Sequence, residues 1–512
     1  MSTIFHSIIV FCSTYTMPVL KTKACQEIIK QLPGCPNVWQ IFLAILEVPN
    51  PSHYSELIVK FMVEVGKEYG FETVVDETNN VILRVPATEG CESWPIVCLQ
   101  GHTDMVPVKA DEIDHDFKTM PIVPRIDGEW LKATQTTLGA DNGIGIAMAV
   151  AAAIEPGAKH GPLEILCTSD EEVGLIGASA IKPGFVKSQY IINLDSEDAY
   201  ALCFGCAGGY ANHWTGKMTR EAYEGTALTL TVNKLTGGHS GCDIHLSRGN
   251  ALKWQGRMLT GLRSAGIDFR VVSIDGGQAH NAIPGSCVVQ LVTPEAEKLT
   301  ELVTKLGGEL KKMFKKTDPN AIVSVTPAEA KFTPMNKACT DSLIDFLLLA
   351  LAGPQRMSPV VEGLVETSYT TAVIKTTEEE IDVLGSGRSS IESAKFGLFE
   401  RCCAIGRGVG WETSEMLQAY PGWAPDLDSK LLKTMKVKHL EVLGKEAHCY
   451  SIHAGLEAGL LVDAGIKAGR TMDAISMGPT IKNPHSPDEA LLIDTVPEMY
   501  KLLLATLADF SM

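Results

Sequence analysis

Four short apolar runs in this chain end in the same way. PIVCLQ (Pro95–Gln100), LEILCT (Leu163–Thr168), YIINL (Tyr190–Leu194) and AISMG (Ala474–Gly478) are each followed, at once or within a short loop, by acids or a histidine. Ionisable side chains are costly to desolvate, so a chain that builds buried strands and ends them this way restricts its own fold. In open α/β sheets the carboxyl ends of the strands lie along one edge, where ligands bind. Between about 35 and 200, and again from about Ala419, such runs alternate with amphipathic helical stretches. That alternation predicts a largely parallel sheet covered by helices.

Around residue 207 the texture changes. ALTLTVNKL (Ala227–Leu235) alternates as a half-buried strand does, and helix, strand, strand, helix and strand follow up to about Val325, a ferredoxin-like order. The helix predicted over Glu295–Lys316 sets Leu299, Leu302, Val303, Leu306, Leu310 and Met313 on one face, which assigns it to packing. A helix over Asp341–Leu351, strands over Val360–Lys375 and Glu380–Ser386 and a helix over Ser393–Ile405 extend the same region. The expected organisation is an N-terminal extension (1–22), an α/β domain in two parts (23–206 and 417–512) and an inserted α+β domain (207–416).

Composition excludes several functions. At 512 residues the chain is too long for one core. A net charge of -17, with no clustered Lys/Arg face, argues against a nucleic-acid partner. No apolar run approaches the roughly 20 residues of a membrane helix, and GIGIAMAVAAAI (Gly143–Ile154) reads as a core helix. The first twenty residues have an apolar stretch but no Lys or Arg before it, a poor secretory signal. Fourteen cysteines without paired spacing read as reduced thiols of a cytoplasmic protein, none of them a zinc ligand.

The strand ends supply His102 and Asp104, Glu171 and Glu172, Asp195 and His485; Asp141 enters a long helix from a glycine-flanked turn. Gathered at one edge, these acids would repel one another, and one or two divalent cations remove that penalty. Imidazole and carboxylate donors without thiolates suit zinc, with manganese or cobalt as substitutes. In HTD an extended backbone sends residues 102 and 104 to one side, so Asp104 either binds metal or orients the His102 ring; the orienting role is favoured. Glu171 and Glu172 should diverge, one binding metal while the other faces its water and moves a proton. That is the chemistry of amide hydrolysis.

Each segment alone has an ordinary reading: a structural His–Asp pair, a solvated helix start, an acidic turn. Five of them in strand-end order do not. GIGIAMA suggests a dinucleotide loop, but no buried strand precedes it and Asp141 would face the pyrophosphate. His53, His115 and His160 are assigned no role.

Taken together, GHTDMV, TTLGADNGIG, TSDEEVGLIGA, NLDSED, GGHSGCDIH, NAIP, AYPGWAPD, HAGLEAGLL and GPTIKNPHSPDE resemble the aminoacyl-histidine dipeptidases of the dizinc dipeptidase and aminoacylase superfamily, from about residue 24 to the C-terminus. The resemblance implies a zinc-peptidase catalytic domain with an inserted lid that carries dimer contacts. It implies two zinc ions per subunit bridged by Asp141, with His102 and Asp195 on one and Glu172 and His485 on the other. Glu171 becomes the general base and acid, and Asp104 steadies His102. In the lid, His239 would stabilise the oxyanion and Arg388 would hold the substrate carboxylate, with Asn281 and His453 as further substrate-side residues. The implied activity is hydrolysis of Xaa-His dipeptides such as β-alanyl-histidine by a soluble cytoplasmic homodimer. Thr103, where relatives often carry an apolar residue, departs from the pattern without touching a ligand.

Overall fold

The computed structural model describes residues 17–510, which divide into two compact units. The first comprises the chain up to Phe204, Leu427–Tyr450 and the chain from Leu461 onward. The second comprises Gly205–Asp426 and Ser451–Leu460.

An eight-stranded sheet organises the first unit, in the order Glu72–Val75, Val81–Val85, Leu163–Thr168, Val97–His102, Tyr190–Asn193, Asp473–Ser476, Ala201–Cys206 and His448–Ile452. Its four central members, from Leu163–Thr168 to Asp473–Ser476, are parallel, and antiparallel strands flank them. Every residue of Val97–His102, Leu163–Thr168 and Tyr190–Asn193 is buried, as expected for strands covered on both faces. Register is set so that His102 pairs with Thr168 and Gln100 with Asn193, which brings the strand ends level.

Beneath that edge runs a buried polar row. The Asn193 side-chain amide donates to Gln100 Oε1 (2.7 Å), Gln100 donates to Thr168 Oγ1 (3.2 Å), and the Ser476 hydroxyl donates to Asn193 Oδ1. A satisfied buried network of this kind fixes one alignment of the strands. The helix Ala140–Ile154 is almost wholly buried, and its Gly and Ala residues permit that close packing.

The N-terminal expectation needs amendment. Residues 1–16 lie outside the described residues, but residues 17–22 are not a separate extension. Gln40 donates to the Pro18 carbonyl (2.6 Å), and the amides of Lys21 and Thr22 donate to the Glu47 carboxylate, so this stretch lies against the helix Pro36–Leu46.

In the second unit the strands of a ten-stranded sheet pair antiparallel. Its ferredoxin-like part runs Ile322–Pro327, Thr226–Asn233, Cys287–Thr293, Arg270–Gly276, with the helices Ala251–Ser264 and Ala296–Met313 as its crossovers. Val365–Thr376, Glu380–Ser389 and Gly208–Lys217 continue the sheet. Helix Ala296–Met313 buries Leu299, Val303 and Leu310, with Leu302 and Leu306 partly covered. Met313 differs from the sequence reading, being 67% exposed on the last turn. The segment Ser451–Leu460 also departs from the expected boundary. It packs into the second unit, where His453 Nε2 lies 2.7 Å from the Ser368 hydroxyl on the central ladder.

Candidate metal centre and a buried guanidinium

Asp141 is the hinge of the first cluster. Its Oδ1 lies 3.0 Å from His102 Nε2 and its Oδ2 lies 3.0 Å from His485 Nε2. Asp195 Oδ1 is 3.5 Å from His102 Nε2, and Glu172 Oε2 is 3.0 Å from His485 Nε2. Candidate ligand atoms of His102, Asp141 and Asp195 all fall within 4.8 Å of one another, as do those of Asp141, Glu172 and His485 and those of His102, Glu171 and Glu172. The structure thus brings together five of the residues that the sequence placed at strand ends with Asp141, which is shared between two three-residue sets.

The local backbone explains the convergence. His102 closes its strand, while Asp170 and His485 adopt positive φ, 50° and 60°. These conformations are uncommon for residues with a Cβ, and they turn the chain off the strand and the loop. Asp104 faces the His102 ring with both its main chain and its side chain. The ring nitrogen His102 Nδ1 meets the Asp104 backbone carbonyl at 2.9 Å, whereas the Asp104 carboxylate stands 3.5 Å away. That carboxylate also accepts from the amides of Glu171 (2.9 Å) and Glu172 (3.4 Å) and from the Ser52 hydroxyl (2.8 Å). One residue therefore anchors His102 through its main chain and both glutamates through its side chain. With its proton on Nδ1, His102 presents a lone pair at Nε2.

Two acids went unrecognised in the sequence. Glu489, buried in the hairpin loop that carries His485, accepts four backbone N–H groups: Leu138 and Gly139 at Oε2 (2.7 and 3.0 Å), Ala140 and Asp141 at Oε1 (2.8 and 3.3 Å). Glu197, two residues beyond Asp195, feels the charges of Asp141 and Glu172. Both lay inside the quoted motifs HSPDE and NLDSED, and an i, i+2 or i, i+4 acid beside a candidate ligand was the available signal.

The donor set fits divalent cations. It contains nitrogen and carboxylate oxygen without thiolate, and Glu172 Oε1 is buried with no hydrogen-bond partner. Protonation tells the same story. Burial pushes Asp195 up to about 7, and burial with the charge of Asp141 does the same to Glu197. Burial also takes Glu489 to about 7, against the lowering pull of the amides that it accepts. Hydrogen bonds to Asp141 and Glu172 raise His485 to about 10. Burial alone would lower His102, but Asp195, Asp104 and Asp141 outweigh it and hold the imidazole well above its ordinary value. In a metal-free site, protons occupy the place of cations.

A pH prediction follows from these directions. Between about 4 and 10 the folded metal-free protein holds protons that the unfolded chain releases: on Asp195, Glu197 and Glu489 up to about 7, and on His485 from 6.5 to about 10. Stability must fall as pH rises wherever the folded state binds more protons. Thermal melts of metal-stripped protein should therefore decline from pH 5 to pH 9, and the gain in melting temperature on adding zinc should widen over the same range. A zinc-induced gain that shrinks with pH would contradict this assignment.

The second unit holds its own cluster. His239 Nδ1 accepts from the amides of Gly241 (3.2 Å) and Cys242 (2.9 Å), so its proton resides on Nε2; burial and the nearby Arg388 charge lower its pKa and keep it neutral. This histidine caps its glycine-rich loop with Nδ1 alone. Arg388 is 6% exposed and, among the described residues, pairs with no carboxylate; its Nε donates to the Ser240 hydroxyl (3.3 Å) and its Nη1 to the Tyr420 hydroxyl (3.0 Å). A buried guanidinium with only neutral partners keeps its full charge and its capacity to bind an anion. His453 is 7% exposed, and burial followed by the charges of Arg388 and His239 depresses its pKa to about 3. The Asn281 side chain is exposed, and only its backbone carbonyl joins the cluster, accepting from the Ser240 amide (2.7 Å).

A mixed α/β sheet whose parallel centre gathers two histidines and several acids around a shared aspartate at its carboxyl edge defines a metal-dependent hydrolase. The comparisons with known proteins narrow the class. The sequence profile of Peptidase family M20/M25/M40 matches residues 98–509, and the chain belongs to that family. It is 37% identical over 477 residues to the cytosol non-specific dipeptidase of Escherichia coli (strain K12), covering 92% of this chain and 97% of that one. The crystal structure of aminoacylhistidine dipeptidase from Vibrio alginolyticus superposes with a TM-score of 0.88 at 39% identity, covering 94% of this chain and 97% of that one. Aminopeptidase PepT from Bacillus cereus ATCC 10987, at 14% identity and a TM-score of 0.53 over 93% of this chain and 98% of its own, shares the fold. The protein is a metallopeptidase, and no helix among the described residues is long and apolar enough to cross a membrane.

Proposed function

We propose that the chain is a metal-dependent dipeptidase acting on Xaa-His and related dipeptides such as β-alanyl-histidine, with two zinc ions per subunit and manganese or cobalt as substitutes. The observation that carries this reading is Asp141, which offers one carboxylate oxygen to His102 and the other to His485. In the proposal His102, Asp195 and Asp141 hold one ion, and His485, Glu172 and Asp141 hold the other. Three protein ligands apiece leave positions open, as catalytic centres do. When bound, such cations polarise a carbonyl oxygen and lower the pKa of water towards about 7.

Glu171, tethered through its amide to Asp104, takes the proton of the attacking water and returns it to the leaving amine. Asp104 positions that base and the Glu172 ligand together. His239, protonated on Nε2, donates to the oxygen on which negative charge develops. Arg388 holds the free α-carboxylate, for which its forked donors are suited, and so selects short peptides. His453 and Asn281 are assigned to the substrate side of the same cluster. The relatives named above as dipeptidases support the substrate class. The word cytosol in one of those names supports a cytoplasmic location, and the family resemblance supports a homodimer formed through the second unit, which sedimentation equilibrium measures directly.

The deciding experiment is a panel of dipeptides, tripeptides and N-acyl amino acids run on metal-stripped enzyme after adding back zinc, manganese or cobalt. Xaa-His dipeptides should lead; preference for acylated amino acids would sink the dipeptidase reading. Arg388→Ala should lower kcat/KM for a dipeptide roughly 10- to 100-fold, the size of lost hydrogen bonds to a charged group. The C-terminal amide of the same dipeptide should change far less.

A further inference from the structure

We infer that Tyr420 is a positioning residue for Arg388, an inference that rests on Arg388 binding the substrate carboxylate as proposed above. Four residues lie in one row across the sheet of the second unit. Ser368 pairs with Arg388, Arg388 with Gly209, and Gly209 with Tyr420. Directly opposed residues on antiparallel strands project from the same face. Arg388 and Tyr420 are therefore two strand spacings apart, about 10 Å at the backbone, and their side chains meet across Gly209.

Gly209 makes that meeting possible. A Cβ on it would stand 2.6 Å from the Tyr420 hydroxyl oxygen and 2.7 Å from the ring carbon that bears it. On the far side of the ring Gly455 is equally close, with a Cβ there falling 2.8 Å from Cε2. The phenol thus lies in a slot formed by two glycines, and its oxygen accepts from Arg388 Nη1 at 3.0 Å.

The backbone of Tyr420 is held as firmly. Lys395, 3% exposed, donates from Nζ to the Tyr420 carbonyl (2.6 Å) and to Glu392 Oε1 (2.9 Å), which also accepts from the Gly422 amide (2.8 Å). A buried lysine on a main-chain carbonyl spends its charge on aligning one residue. With Nε on Ser240 and Nη1 on Tyr420, the guanidinium plane is fixed by two neutral oxygens. Neither oxygen cancels its charge, so the full attraction for a carboxylate is retained. The arrangement orients Arg388 without competing for it.

The test compares Tyr420→Phe with wild type on one Xaa-His dipeptide and on its C-terminal amide, in the metal-loaded enzyme. Tyr420→Phe should lower the acid-to-amide ratio of kcat/KM roughly tenfold, mainly through KM of the acid, since one hydrogen bond to a charged group is lost. Gly209→Ala, which pushes the ring off Arg388 while keeping the phenol, should lower the same ratio and keeps the inference testable should either variant fold poorly. Equal losses on acid and amide, or no change on either, would overturn it. If Arg388→Ala itself leaves the ratio unchanged, the carboxylate reading falls. If only the Tyr420 and Gly209 variants leave it unchanged, the positioning inference falls alone.

Discussion

Glu171→Gln is expected to lower kcat by roughly 10²- to 10⁴-fold, the usual contribution of a positioned general base, while bound metal measured by elemental analysis stays at the wild-type level. The substitution keeps the volume of the side chain and the hydrogen bond from the backbone N–H of residue 171 to the Asp104 carboxylate. It removes only the capacity to accept a proton. Glu172→Gln supplies the contrast. Glu172 Oε2 meets His485, its other oxygen is buried without a partner, and its group with Asp141 and His485 is one of the two that share Asp141. An uncharged amide there should cost metal as well as turnover. Loss of metal from Glu171→Gln with retention by Glu172→Gln would mean that the two adjacent glutamates exchange roles.

The contrast also marks how far the sequence could be read. His102, Asp141, Glu171, Glu172, Asp195 and His485 were legible because each follows an apolar run or enters a core helix, and sheet topology makes such positions converge. The ferredoxin-like part of the second unit was legible because its alternation and helix order are local properties. What escaped was carried by backbone rather than by residue type. The Asp104 main-chain carbonyl meets His102 Nδ1 more closely than its carboxylate does, 2.9 against 3.5 Å, and strand periodicity cannot show that main-chain contact. Residues 17–22 hold to the body through main-chain groups on Glu47 and Gln40, a pairing without sequence periodicity. Ser451–Leu460 belongs to the second unit, where the Ala207 amide meets the Ile452 and Ala454 carbonyls, Gly455 lies against Tyr420 and His453 meets Ser368, and no composition shift marks that excursion. Tyr420 was hidden for the same reason, since its link to Arg388 depends on a glycine in an intervening strand.

Glu489 is the most consequential of the unread residues, and Glu489→Ala should both destabilise the first unit and strip its metal. The carboxylate takes the N–H groups of Leu138, Gly139, Ala140 and Asp141, the turn that delivers Asp141 to the cluster. Helix starts leave such donors unsatisfied within the helix, and each buried N–H left without an acceptor costs about 1–3 kcal/mol. Four of them place the loss on the order of 4 kcal/mol or more by the same measure, well within reach of a denaturant titration. The loop also fixes a ligand shared by both three-residue sets, so its loosening weakens them together, and chelator competition should show metal released at least tenfold more readily. Glu489→Gln separates charge from shape. A glutamine has one acceptor oxygen and one NH₂, so whichever way it turns, two backbone donors face another donor. It should therefore lose much of the stability that alanine loses, despite its matching size. If Glu489→Gln keeps both wild-type stability and wild-type metal retention, the four amides are not what holds Asp141 between His102 and His485.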